Sequence, residues 1–146
     1  MKVYPNIVSK EDVQSILEQV IARHPEVLER NTYNEDVNQD LQYLRYMPQT
    51  YIPDLDGEAI CLVLLSSTNN IEDYGGREWH LDGPGDETTV LLYLQGDPSS
   101  GGEFVTEEAS YKFGVGTMFV LPSDKLHRVE PYINKTARIA LKWKFK

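Results

Sequence analysis

The sequence predicts a mostly antiparallel β sandwich or barrel with one helix packed outside it, and three observations carry that prediction. Four short runs rich in β-branched, aromatic and aliphatic residues follow Gly57, clusters of turn-forming residues separate them, and one amphipathic helical pattern precedes them all.

The helix comes first in the chain. Ser9 followed by Asp12 forms a variant of the capping box, and Val13, Ile16, Leu17, Val20 and Ile21 recur at the spacing that lines one helical face. The spacing predicts a helix from about Lys10 to Arg23. His24 then precedes Pro25, where an imidazole serves the terminal carbonyls of the helix and has no metal role. Between His24 and Gly57 the pattern is mixed. Val37, Leu41 and Leu44 suggest a second helix that Pro48 and Pro53 interrupt, so this stretch reads as a lid or a connection.

The predicted strands are residues 59–65, 88–94, 115–121 and 137–145. Tight reversals lie between them at Gly83-Pro84-Gly85-Asp86, from Gly96 through Gly102, and from Pro131 to Lys135. With 146 residues, 40% of them apolar, the chain fits one domain, with a helical and connecting region over 1–57 and a β core over 58–146.

Charge and composition exclude some functions. A net charge of -9, from 23 acidic and 14 basic residues, disfavours nucleic acid and anionic membranes as partners. The one cysteine, Cys61, has no partner for an intramolecular disulfide and reads as a small buried hydrophobe. The N-terminus lacks the apolar stretch of a secretory signal, and no segment approaches the ~20 apolar residues needed to span a bilayer, so a cytoplasmic, soluble protein is expected. Nothing in the sequence indicates an oligomeric state.

Of three histidines, His80 and His127 fall in the β region. In His80-Leu81-Asp82 the two ligand-type side chains are two residues apart, which on an extended backbone places them on one face. His127 follows the third strand after the bend Ser123-Asp124-Lys125-Leu126, where a sandwich returns it beside them. Two imidazoles and one carboxylate suit Fe(II) and leave three coordination positions open for co-substrate and dioxygen. Eleven residues on, Arg138 heads the last strand, where a fixed guanidinium can hold a carboxylate by two parallel hydrogen bonds.

The order H-x-D at His80 and Asp82, then Tyr93-Leu94, Gly101-Gly102-Glu103-Phe104, Gly116 through Pro122, His127 and Arg138 resembles the Fe(II)/2-oxoglutarate-dependent dioxygenase superfamily, its prolyl 4-hydroxylase-like branch above all. The resemblance spans residues 61–145 and implies a mainly β fold with flanking helix, a double-stranded β-helix of the jelly-roll or cupin-like kind, braced by the N-terminal helix. It implies His80, Asp82 and His127 as catalytic iron ligands, Arg138 on the distal carboxylate of 2-oxoglutarate, Tyr93 on the same carboxylate, and Gly101 and Gly102 in a tight turn. The implied cofactors are Fe(II), 2-oxoglutarate as co-substrate, dioxygen, and ascorbate as reductant. The implied reaction hydroxylates a C–H bond of a peptidyl (prolyl-type) or small-molecule substrate and releases succinate and carbon dioxide. An intact Asp82 argues against halogenation, for which relatives carry a small residue there.

Several readings stay open. Relatives place a tryptophan six residues after the co-substrate cation, whereas Trp143 follows Arg138 by five, which a bulge would absorb. Strict alternation puts Arg138, Ala140, Lys142 and Lys144 on one strand face, which is either inward or outward. Lys142, Lys144 and Lys146 read as a solvated basic face that discourages edge pairing. Tyr74, Arg77 and Trp79, near the Gly75-Gly76 pair, line a substrate mouth or pack on the exterior. A non-catalytic cupin-like metal- or ligand-binding module is the alternative function. A zinc-dependent isomerase or hydrolase is weaker, since no further histidine or paired acid accompanies the triad.

Overall fold

In the helix α1 (Lys10–Arg23), Ser9 holds an extended conformation and its Oγ accepts a hydrogen bond from the Asp12 N–H at 3.2 Å, satisfying one of the donors a helix start leaves orphaned. The computed structural model describes residues 1–35, 37, 39–68 and 78–146. Val13, Ile16, Leu17 and Val20 are buried on one side of α1, and they pack onto a six-stranded antiparallel sheet.

That sheet contains β1 (Lys2–Tyr4), β2 (Thr32–Asn34), β3 (Ala59–Ser67), β4 (Thr88–Gln95), β7 (Met118–Pro122) and β9 (Arg138–Phe145), in the order β1-β7-β4-β9-β3-β2. A second sheet, in the order β6-β5-β8, is built from β5 (Phe104–Thr106), β6 (Ser110–Tyr111) and β8 (His127–Val129). The two antiparallel sheets form the double-stranded β-helix, with α1 outside the larger one.

The larger sheet is apolar on both faces, which explains why its strands read as nearly continuous apolar runs. Val90, Leu92, Met118, Ile139, Leu141, Trp143 and Phe145 belong to the core under α1. Leu91, Tyr93, Phe119, Leu121 and Ala140 face the smaller sheet, where Phe104 joins them. β9 alternates regularly between these faces, so Trp143 lies opposite to Arg138 and needs no bulge. Irregularities fall on its neighbours instead, between Tyr93 and Gln95 of β4 and between Ala59 and Cys61 of β3.

Several local expectations are corrected. The first 57 residues supply two edge strands, β1 pairing with β7 and β2 with β3. Each has three residues, too few for alternation to register, and forms because the neighbouring strand offers unpaired backbone groups. Pro48 does not interrupt a helix but opens the short α2 (Met47–Tyr51), since its missing N–H is one that a first turn leaves unbonded. Among the described residues the pattern at Val37, Leu41 and Leu44 yields a single turn at Gln42–Leu44 and one helical-turn position at Val37. The third predicted strand starts late because Gly114 to Thr117 form a turn in which Gly116 has φ +83° and lies so close to the Val8 carbonyl that a Cβ would meet it at 2.6 Å. The His24 ring serves carboxylates and not carbonyls, with Nε2 2.7 Å from Asp40 and Nδ1 3.5 Å from Glu26. Cys61 is half-buried, and partial burial pushes its thiol pKa up. Among the described residues no helix is long and apolar enough to cross a membrane.

Trp143 is fully buried and its Nε1–H donates to the Leu44 carbonyl at 3.0 Å, tying the connecting region to the sheet. Trp143→Phe removes the donor and strands a buried acceptor, so it is expected to cost about 1–3 kcal/mol. Urea unfolding of both proteins checks this, and an unchanged midpoint would show that the bond contributes nothing.

Candidate active site

His80 and His127 face each other across an isolated antiparallel bridge. The His80 N–H donates to the His127 carbonyl at 2.9 Å and the His127 N–H to the His80 carbonyl at 3.1 Å. Directly opposed residues in such a pair project from the same face, so the two imidazoles meet with ring centroids 4.3 Å apart. Asp82 lies two residues on and shares that face. Its N–H and that of Gly83 both donate to the Ser123 carbonyl, at 2.9 and 3.0 Å, and the Ser123 hydroxyl is tied to Thr89 at 2.7 Å within the core. The structure thereby brings the three expected residues together: Asp82 Oδ1 is 3.8 Å from His80 Nε2, and Oδ2 is 3.4 Å from His127 Nε2.

Hydrogen bonding fixes which nitrogen each ring offers. His80 Nδ1 is 2.7 Å from the Glu78 carbonyl and His127 Nδ1 is 2.7 Å from the Lys125 carbonyl. A carbonyl only accepts, so each Nδ1 carries the hydrogen and each Nε2 turns a lone pair toward Asp82. Burial pushes the His127 pKa below its ordinary value, keeping the ring in the neutral form that ligation requires. One donor atom from each of the three residues lies within 4.8 Å of the others, and a divalent ion such as Fe(II) fits this set of two nitrogens and one carboxylate.

Arg138 points into the barrel. Its Nη1 donates to the Gly102 carbonyl at 2.8 Å and its Nη2 to Ser67 Oγ at 3.3 Å, and the guanidinium lies among the rings of Tyr93, Phe113 and Tyr132 at 5.6–5.9 Å. Glycine at 102 makes room for it, since a Cβ there would come within 2.5 Å of Nη1. Arg138, Tyr93, Ser67, Leu65, Leu91 and Phe104 line a small cavity of about 50 Å³. Phe104 also stacks on the His127 ring, centroids 4.6 Å apart and planes within 17°, and so joins the cavity to the His80, Asp82 and His127 cluster.

Solved structures match the chain over nearly its whole length. A collagen prolyl hydroxylase of Paramecium bursaria Chlorella virus-1, in complex with 2-oxoglutarate, is 14% identical, with 99% of this chain and 94% of that one covered and a TM-score of 0.66. A Pseudomonas putida prolyl-4-hydroxylase is 18% identical, covering 99% and 91% with a TM-score of 0.67. HygX of Streptomyces hygroscopicus, with nickel and 2-oxoglutarate bound, is 11% identical, covering 98% and 80% with a TM-score of 0.67. The fold is that of 2-oxoglutarate-dependent oxygenases. No protein-family model and no curated protein matches the chain.

Within this oxygenase fold, Lys142 and Lys144 depart from the expected solvated face, and the open reading of Trp79 is resolved. Lys142 is not a solvated surface residue: it shares the inner face of β9 with Arg138 and is 8% exposed, its Nζ 3.6 Å from Asp82 Oδ1 and 5.2 Å from the Tyr33 ring centroid. Lys144 is half-buried and donates to the Asp82 carbonyl, whereas Lys146 is exposed near Asp86. The alternation that carries Arg138 inward carries Lys142 inward as well, and that was the signal for it in the sequence. Trp79 does not line the site. It alternates with His80, points to the outer face, and is half-exposed beneath the Arg128 guanidinium at 5.3 Å. Tyr74 and Arg77 lie outside the described residues. Thr89 and Ser123 carried no sequence signal, and Phe104 entered only as the end of the Gly101-Gly102-Glu103-Phe104 run with no role of its own, because apolar and hydroxyl residues become part of a site only through what they touch.

Burial pushes the Tyr93 phenol up to about 12, with the Arg138 charge acting in the opposite direction. A group whose folded pKa is raised contributes stability that is fully present below its unfolded pKa, near 10, and is lost as pH rises through about 12. Relative to Tyr93→Phe, the protein is therefore expected to lose on the order of 2–3 kcal/mol across that window. Denaturant unfolding at pH 8, 10 and 11.5 measures it, and parallel pH curves for the two proteins would contradict the burial of the phenol.

Proposed function

We propose that this protein is a non-haem Fe(II)- and 2-oxoglutarate-dependent dioxygenase that hydroxylates a C–H bond of a small-molecule or peptidyl substrate. The observation that carries this reading is the convergence of two Nε2 lone pairs and one carboxylate beside a cavity with Arg138 on its wall. A half-buried guanidinium held on the cavity wall suits an anionic co-substrate, which a barrel that only binds metal does not require.

Each residue has a distinct task under this reading. His80, Asp82 and His127 would hold the ion through two nitrogens and a carboxylate, leaving coordination positions for co-substrate and dioxygen. Arg138 binds the distal carboxylate of 2-oxoglutarate, held in place by Gly102 and Ser67 so that little rotamer freedom is lost on binding. Tyr93, protonated at neutral pH, donates a hydrogen bond to the same carboxylate. Leu65, Leu91 and Phe104 keep water from the co-substrate and so strengthen its electrostatic contacts. Bound there, Fe(II) with 2-oxoglutarate and dioxygen supplies the oxidation that inserts oxygen into the substrate and releases succinate and carbon dioxide, with ascorbate as a reductant.

Anaerobic titration of the metal-free protein with Fe(II) and then 2-oxoglutarate tests the reading through the visible charge-transfer band of the chelate. The band is expected in the wild type and lost in His80→Ala and His127→Ala. Arg138→Ala is expected to weaken 2-oxoglutarate roughly ten- to hundredfold, the loss of one charge-assisted pair, with Fe(II) affinity unchanged. A folded wild type that gives no band and binds neither component would instead be a binding module on the same barrel.

A further inference from the structure

Lys142 has no task in the scheme above, yet it is one of the most unusual side chains in the barrel. Lysine is rarely buried without a paired charge. Among the described residues the carboxylate within ion-pair reach of its ammonium is Asp82, at 3.6 Å. That carboxylate is also the one placed between His80 and His127. A divalent ion on Asp82 would spend the carboxylate's charge and repel the ammonium beside it, leaving a buried cation in need of an anion.

The geometry says where that anion comes from. Arg138 and Lys142 lie four residues apart on one strand face, about 13 Å along the backbone. The triad touches both regions, with Asp82 beside Lys142 and His127 joined to the Arg138 cavity through Phe104. His127 stacks on Phe104, which lines the Arg138 cavity, so His127 and Asp82 Oδ2 belong to the co-substrate side. Oδ1 belongs to the opposite side, with His80 Nε2 at 3.8 Å and Lys142 at 3.6 Å. There the Tyr33 ring, 49% exposed, covers the ammonium from β2 and opens to solvent. A dicarboxylate anchored at Arg138 approaches the ion from the first side, which leaves Lys142 facing the second. We infer that Lys142, capped by Tyr33, is a specificity-determining residue that binds a carboxylate group of the substrate to be oxidised.

This inference rests on the dioxygenase reading and names its substrate class as carboxylate-bearing. Charge favours it, because an acidic protein of net charge -9 has gathered Arg138, Lys142 and Lys144 on the inner side of a single strand. A small anion entering there meets a local field opposite in sign to that of the molecule as a whole.

The test uses the full chain loaded with Ni(II), comparing wild type with Lys142→Met, Lys142→Gln and Lys142→Arg, of which Met and Gln differ in how well they fill the buried site. Calorimetry gives the affinities for Ni(II) and for 2-oxoglutarate. Proton NMR titrations of the ternary complex with hexanoate and with hexanamide then isolate the effect of a carboxylate. The expected result is at least tenfold tighter binding of hexanoate than hexanamide by the wild type and by Lys142→Arg, and no preference in the folded Met or Gln variant. Affinity for 2-oxoglutarate should stay within threefold, and Ni(II) should bind the neutral variants as tightly or more tightly, since a neighbouring positive charge is gone. Equal binding of the two probes by the wild type overturns the inference. So does a tenfold loss of 2-oxoglutarate affinity, which would assign Lys142 to the co-substrate, or of Ni(II) affinity, which would make it a prop for Asp82. Wild-type protein that fails to take up Ni(II) and 2-oxoglutarate at all removes the dioxygenase reading itself, a failure visible before any probe is added.

Discussion

Two backbone hydrogen bonds between His80 and His127 hold the rest of the site in place. They join a segment that belongs to no regular strand to the first residue of β8, and they do so with the residues whose rings must converge. Because opposed residues in an antiparallel pair share a face, the bridge decides ring proximity without help from side-chain packing. Everything else refines this contact. The carbonyls of Glu78 and Lys125 set the tautomers, Ser123 positions Asp82, and Phe104 holds the His127 plane. A cluster of donor side chains built on paired backbones is pre-organised at little entropic cost, since the same bonds that close the barrel orient the donors.

Much of this was legible in the sequence, for identifiable reasons. α1 announced itself through Ser9 and a repeating apolar face, and the long strands through their composition, because both signals extend over many residues. The proximity of His80 to Asp82 followed from a two-residue spacing. The three-residue edges β1 and β2 were not legible, since they are recruited by neighbours and carry no pattern of their own. Pro48 was misread because proline ends or begins a helix according to position alone. Lys142 was misread for a different reason: lysine on a strand is ordinarily solvated, and only its neighbours Asp82 and Tyr33 make its burial tolerable.

The charge distribution follows from the same layering. The outer layer of an acidic protein has no need of internal cations, and the core under α1 has no room for them: Ile139, Leu141, Trp143 and Phe145 fill it. The face toward the smaller sheet is where β9 places Arg138 and Lys142, each with a satisfied neighbour. Unpaired, either charge would make the barrel interior costly to fold. Paired as they are, one against a carbonyl and a hydroxyl and the other against a carboxylate, they give the interior a positive field directed at anions.

The regularity of β9 is the condition for both arrangements at once. A strand with period two assigns every second residue to the core and the rest to the site, so a slip of one residue would drive Trp143 into the cavity and Lys142 beneath α1. The strand is pinned on both sides, by β3 along its whole length and by β4 over most of it, and the irregularities of the sheet fall on those partners and not on β9 itself. The Trp143 bond to Leu44 locks the register from the opposite face. An exchange of one residue pair at this strand thus acts on fold and site together, and the odd spacing of Trp143 from Arg138 is what allows the tryptophan to hold the core while the arginine faces the cavity.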